Sequence, residues 1–166
     1  MKFKFKLIKL EDLCGKRATV YSVVVNDEEQ TLFDRFINEN FPKYQKELTD
    51  ISDQIDAMAT VHGLRDNFFK KREGRPGDGV EALFSKQLRL YCMRFGHVIL
   101  ILGGGGPKNT RTWEEDAKLD EENRLLQKFS SLLTEKMRNK ETKWSLDATE
   151  LIGDLEFGDE DLTEDD

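Results

Sequence analysis

Arg89 and Tyr91 alternate with Leu88, Leu90 and Cys92. In a strand the two polar side chains then share one face, about 7 Å apart, and the three apolar ones take the other. An arginine on such a face calls for an anion. A structural carboxylate is one, with Glu81 in the preceding segment as the candidate. A phosphate is the other, because two of its oxygens match the planar fork of guanidinium donors. Arg94 and His97, at the far end of the segment, read as a solvated turn. Downstream, Gly103 to Gly106 and then Pro107, Lys108, Asn109 and Thr110 have the look of a phosphate-cradling loop. Such a loop needs Gly, four residues, then Gly-Lys-Ser/Thr between a strand and a helix. Here Pro107 replaces the second Gly, Asn109 replaces the magnesium-binding hydroxyl, and no later βα repeat builds a nucleotide fold. ATPase chemistry is excluded.

Four glycines still permit backbone to approach another chain or a nucleotide, and they leave Lys108 and Arg111 free to move. With Trp113 able to stack a base, that set suits single-stranded RNA; a plain strand-to-helix connection is the alternative. Lys70, Lys71, Arg72 and Arg75 lie among Gly74, Pro76, Gly77 and Gly79, an exposed basic loop that no helix continues through. No His/Cys/Asp/Glu group has metal-ligand spacing, no Gly-x-Ser-x-Gly elbow occurs, and neither His62 nor His97 has an evident Ser or Cys nucleophile near it. No metal or cofactor is expected.

These groups need elements to position them. Phe3, Phe5 and Leu7 alternate with Lys2, Lys4 and Lys6, the period of a half-buried strand whose lysines guard a sheet edge. Arg17 to Val25 predicts a second strand, paired with the first across Leu13 to Lys16. Asn26 with Glu29 resembles a capping box ahead of Leu32, Phe33, Phe36 and Ile37, a helix ending near Asn40. Pro42 then opens a second helix whose Tyr44, Leu48, Ile51, Ile55, Met58 and His62 keep one face, with Gly63 as its cap. The two make a helical hairpin. Segments 79–83, 87–95 and 97–102 predict a three-stranded meander. Its last member, apolar on both parities from Val98 to Leu102, belongs in the centre of the sheet. A final helix begins at Asp120 and carries Leu125, Leu126, Phe129, Leu132, Leu133 and Met137.

At 166 residues the chain forms one domain. Its 33 acids against 26 bases give a net charge of -7, unevenly placed. Ten carboxylates and no base lie from Trp144 to Asp166, leaving 23 acids against all 26 bases over residues 1–143. The division expected is therefore a weakly basic body, 1–143, and an acidic tail, 144–166. The tail reads as solvated and flexible. Alternatively it masks the body, since Leu151, Ile152, Leu155, Phe157 and Leu162 are more apolar surface than solubility requires. Cys14 and Cys92 are too few for a disulfide framework, the longest apolar run is far short of the roughly 20 residues that span a bilayer, and the start lacks a secretory signal. A cytoplasmic protein is expected.

The order of strand, helical hairpin, basic loop, antiparallel meander, basic turn and terminal helix resembles the RelE/HigB branch of the RelE/ParE superfamily of bacterial toxins, over roughly residues 17–140. At residue level the likeness covers about 80–113, above all the run from Leu88 to Lys108, in which an Arg opens a hydrophobic strand and a second apolar strand ends in glycine followed by a Lys. The resemblance implies an α+β, RelE-like fold, a twisted antiparallel sheet packed on the N-terminal hairpin. It also implies the toxin of a toxin–antitoxin pair, a ribosome-dependent endoribonuclease that cleaves mRNA without a metal and is restrained by a helix-turn-helix antitoxin. By position, Arg89 would hold the scissile phosphate, Lys108 would stand beside it, and Arg111 would assist at the leaving oxygen. Tyr91 or Trp113 would orient a base, and Lys70, Lys71, Arg72 and Arg75 would contact ribosomal RNA. Two features depart from the family: Val80-Glu81-Ala82-Leu83 lacks the lysines that serve some members as general base, and no tyrosine follows the glycines. A non-enzymatic partner-binding protein, a ParE-like inhibitor of DNA gyrase, and an adaptor working through its acidic tail are the alternatives.

Overall fold

A computed structural model describes residues 3–70, 79–108 and 117–158. Alternation makes β1, Lys4–Lys9, with Phe5 and Leu7 inside and Lys4 and Lys6 outside. β2, Thr19–Val25, is rich in β-branched residues and runs antiparallel to it, Phe5 opposite Val25 and Lys9 opposite Tyr21. Asn26 does not cap a helix. It adopts a left-handed φ of 55° and turns the chain out of β2, while its Oδ1 accepts the Lys4 amide at 3.0 Å. The cap is Thr31, whose Oγ1 accepts the Asp34 amide at 3.1 Å, so α1 spans Leu32–Asn40. α2, Gln45–Ala57, ends in a π-turn over Met58–His62 that Gly63 closes at φ 76°.

β3 (Glu81–Ser85), β4 (Leu88–Phe95) and β5 (Ile99–Pro107) form the expected antiparallel meander. β5 then pairs in parallel with β2, from Thr19 opposite Ile99 to Ser22 opposite Leu102. α1 and α2 bury Val20, Leu83, Leu90, Leu100 and Leu102 on one face. α3, Ala117–Arg138, buries Tyr21, Val23, Tyr91, Met93 and Ile101 on the other. β5 is accordingly central and apolar on both sides, as the run from Val98 to Leu102 requires. The protein is α+β, a mostly antiparallel six-stranded sheet between helical layers.

The acidic tail departs from expectation. Lys140 and Glu141 turn the chain after α3 into a small hairpin of β6, Thr142–Trp144, and β7, Leu151–Gly153. β8, Glu156–Gly158, then joins the outer side of β1, with Lys4 opposite Gly158 and Lys6 opposite Glu156. The sheet order is β3-β4-β5-β2-β1-β8. The lysines of β1 therefore guard no free edge, and residues 144–158 are not a solvated tail. The reason is apolar: Phe157, 2% exposed, meets the Phe129 ring edge-on at 5.2 Å, and Leu151 is buried with its amide on the Tyr21 hydroxyl at 3.1 Å. The charges are matched too, Glu150 with Lys9 at 2.8 Å and Asp154 with Lys136. The Lys136 ammonium, and after it the Glu156 amide, hold the Asp154 carboxyl below its ordinary value of 3.8. Residues 159–166 lie outside the described ones. Phe157→Ala is expected to cost about 3 kcal/mol. It should also strip hydrogen-exchange protection from the Leu7 amide, which donates to Leu155 O at 2.9 Å; unchanged protection would show that β8 is held by its backbone alone.

Candidate nucleic-acid interface

The tight turn between β3 and β4 gathers the basic groups. Lys86 occupies it at φ 51°, and both Lys86 and Gln87 are exposed. Arg89 follows directly, opposite Phe84 on β3 and Gly106 on β5. Its guanidinium bends back on the turn: Nη1 donates to Lys86 O at 2.6 Å and Leu88 O at 3.2 Å, and Cζ stands 5.5 Å from the Phe84 ring centre. Arg89 is 8% exposed, and its Nε is buried without a hydrogen-bond partner. Lys70 arrives from the outer side of β3, where its backbone exchanges two hydrogen bonds with Ala82, at 2.8 and 3.0 Å. Its Nζ lies 5.2 Å from the same Phe84 ring. Lys108 arrives from β5, its amide donating to Gln87 O at 2.7 Å. One end of the sheet thus carries Lys70, Lys86, Arg89 and Lys108 near a single turn, with Lys70 and Arg89 against one aromatic ring.

The choice between carboxylate and phosphate for Arg89 is narrowed by register. Glu81 stands opposite Cys92, which makes Arg94, two residues on and on the same face, its diagonal neighbour. Arg94 takes Glu81 through two bonds of 2.7 Å, adds Asp66 at 2.9 Å and Leu64 O at 3.1 Å, and lies 4.2 Å over the Phe69 ring. The Glu81 hydrogen bond, followed by burial working against it, leaves the Arg94 pKa raised. Arg94 is therefore the structural ion pair and not a solvated turn, and His97 beside it sets Nδ1 3.1 Å from Leu64 O. Among the described residues Lys70, Lys86 and Arg89 make no ion pair.

Tyr91 does not join this group at the surface. Its side chain is fully buried in the core beneath α3, next to a bulge where Gly103 and Gly104 of β5 face it alone. Arg111, Trp113, Lys71, Arg72 and Arg75 lie outside the described residues. Gly103–Gly106 do not form a hinge; they are strand, buried, and close to other backbone, but the chain they meet is this one. A Cβ on Gly104 would sit 1.9 Å from Glu122 Oε2, and one on Gly105 would sit 1.9 Å from Arg89 O.

Sequence reasoning missed Phe84 and Lys86, and also the charged network behind the glycines. Glu122, 2% exposed, accepts from Arg35 of α1 and, at 2.9 Å, from Lys118, which also reaches Glu39 at 3.1 Å. Burial works against the Lys118 charge, but Glu122 and Glu39 more than restore it, and its pKa lies above the ordinary value. Glu122 was detectable as the one acid at helical spacing between Leu119 and Leu126, on the buried face of α3. Burial pushes the Cys92 thiol far up, which leaves it inert. Among the described residues there is no group of three or more His, Cys, Asp or Glu placed to hold a metal, and no helix long and apolar enough to cross a membrane. No protein-family model matches the chain, and no curated protein or solved structure matches it either.

Proposed function

We propose that the protein is a RelE/HigB-like toxin, a ribosome-dependent and metal-independent mRNA endoribonuclease of a toxin–antitoxin module. One observation carries the reading: the basic residues Lys70, Lys86, Arg89 and Lys108 lie at the β3–β4 end of the sheet, and the carboxylate nearest in sequence to Arg89 is taken by Arg94. A polyanion is the natural complement of such an end. The order β2, α1, α2, β3, β4, β5, with β5 beside β2, supports the same family likeness.

In the reaction the O2′ of one nucleotide attacks the adjacent phosphorus, the P–O5′ bond breaks, and a cyclic phosphate and a 5′-hydroxyl are left. A proton leaves O2′ and one is delivered to O5′. Arg89 keeps a buried Nε without a partner beyond the Nη1 bound to the turn, and on this reading the guanidinium would have to swing outward to offer its fork to the charge that builds on the phosphoryl oxygens. Lys108 adds charge from the β5 side. Lys70, bridged to Ala82, brings an ammonium to the strand that has no lysine of its own. Arg111 would act at the leaving oxygen, Trp113 would stack a base, and Lys71, Arg72 and Arg75 would reach ribosomal RNA. The reaction takes place in the cytoplasm, where ribosome and mRNA are, and a helix-turn-helix antitoxin covers the basic end.

The burial of Arg89 and Tyr91 favours a second reading, a partner-binding protein without nuclease activity or a ParE-like gyrase inhibitor. Expression in growing cells separates the two. Primer extension is expected to map new 5′ ends within translated codons, absent when ribosomes are blocked. Growth arrest with intact transcripts and altered DNA supercoiling would overturn the nuclease.

A further inference from the structure

We infer that the basic end of the sheet is also the docking place of this chain's own residues 159–166, which compete there with nucleic acid. The inference rests on the reading of that end as a polyanion site. It starts from direction. β2 and β5 are parallel, so their last residues lie at the same end as the β3–β4 turn. β1 is antiparallel to β2 and β8 is antiparallel to β1, which returns the last residue of β8, Gly158, to that end beside Lys4. Had β8 paired with β1 in parallel, the following residues would leave at the opposite end.

Reach and charge follow. From β8 to β4 there are four strand steps, about 19 Å at the usual spacing. Eight residues extend up to about 26–29 Å. Residues 159–166 carry Asp159, Glu160, Asp161, Glu164, Asp165 and Asp166 and no base. The described acids before them are largely used: Glu150 by Lys9, Asp154 by Lys136, and Asp147 by the Ser145 and Thr149 hydroxyls. Six carboxylates therefore leave the fold at the level of Lys70, Lys86, Arg89 and Lys108. A tether this short gives an effective concentration of order mM, enough for a weak ionic contact to form and still yield to a longer polyanion. Such a contact is strong at low salt and screened at high salt.

The test compares the full-length protein with a full-length variant carrying D159N, E160Q, D161N, E164Q, D165N and D166N, using a short labelled oligouridylate as probe. The variant is expected to bind about tenfold more tightly at low salt, with the difference gone near about 0.5 M. Amide resonances of Lys70, Lys86, Arg89 and Lys108 are expected to shift between the two proteins. Equal affinities at low salt, or shifts confined to Lys4 and Lys6 beside the exit, would overturn the inference. Shifts at the β3–β4 turn with no oligouridylate bound by either protein would leave the intramolecular contact standing and remove the RNA site instead.

Discussion

Gly105→Ala is expected to abolish the folded state or cost at least about 3 kcal/mol, whereas Gly106→Ala one residue on should be tolerated within about 1 kcal/mol. The added carbon at Gly105 lands 1.9 Å from Arg89 O, a backbone atom of the adjacent strand. β4 cannot readily retreat there, because Arg89 pairs with Phe84 of β3 on one side and Gly106 of β5 on the other. At Gly106 the nearest atom to the new carbon is Lys118 Cγ at 3.6 Å, an ordinary contact. Gly104→Ala falls between them: its obstacle is Glu122 Oε2, a side-chain atom, but one whose carboxylate is anchored by Arg35 and Lys118. Urea denaturation of the three variants gives the order directly. A flexible connection would accept alanine at all three positions alike, so equal midpoints would restore the hinge.

Period was the legible part of this sequence, and close approach was not. The alternation of β1, the stripe of α2 and the doubly apolar run in β5 each reported their own burial, because one residue's environment repeats along its element. Pairings between elements are set by register, which no single segment contains. Arg89 and Arg94 are five residues apart and similar by type, yet register gives Glu81 to Arg94 and leaves Arg89 to carbonyl oxygens. The same limit explains the glycines. Their number signalled a close contact, but its identity, the backbone of Arg89 and the carboxylate of Glu122, comes from the bulge and the crossing of α3. In the acidic tail charge favoured a solvated segment while Leu151 and Phe157 favoured a docked one, and both of those residues are buried. Charge density predicts disorder only where too little apolar surface is available to offset the entropy of ordering. Two such residues, with their acids matched by Lys9 and Lys136, were enough here.

Arg89→Ala is expected to lower mRNA cleavage by about 100- to 1,000-fold, the loss associated with removing one preorganised donor from a developing oxyanion. Part of the effect on the protein is structural, because Nη1 serves Lys86 O and Leu88 O and the guanidinium lies against Phe84. The Lys86 carbonyl borders an exposed turn and can take water, whereas the bond to Leu88 O is buried, so the stability cost should be about 1–3 kcal/mol. Arg89→Lys keeps the charge and loses the fork; if bidentate phosphate binding is the function, it recovers little activity while restoring part of the stability. Lys108→Ala should weaken cleavage less, by about tenfold, and it keeps the contact to Gln87 O, which belongs to the backbone. The double variant should be hardly worse than Arg89→Ala, because two cations that stabilise one phosphoryl group act as a unit. Activity is read as translation-dependent cleavage by primer extension, and stability as the urea midpoint of the same preparations. Undiminished cleavage by a folded Arg89→Ala protein would take the guanidinium out of the reaction and leave it as the clamp of its own turn. Loss of cleavage in step with loss of stability, rescued equally by lysine, would assign it the same structural role.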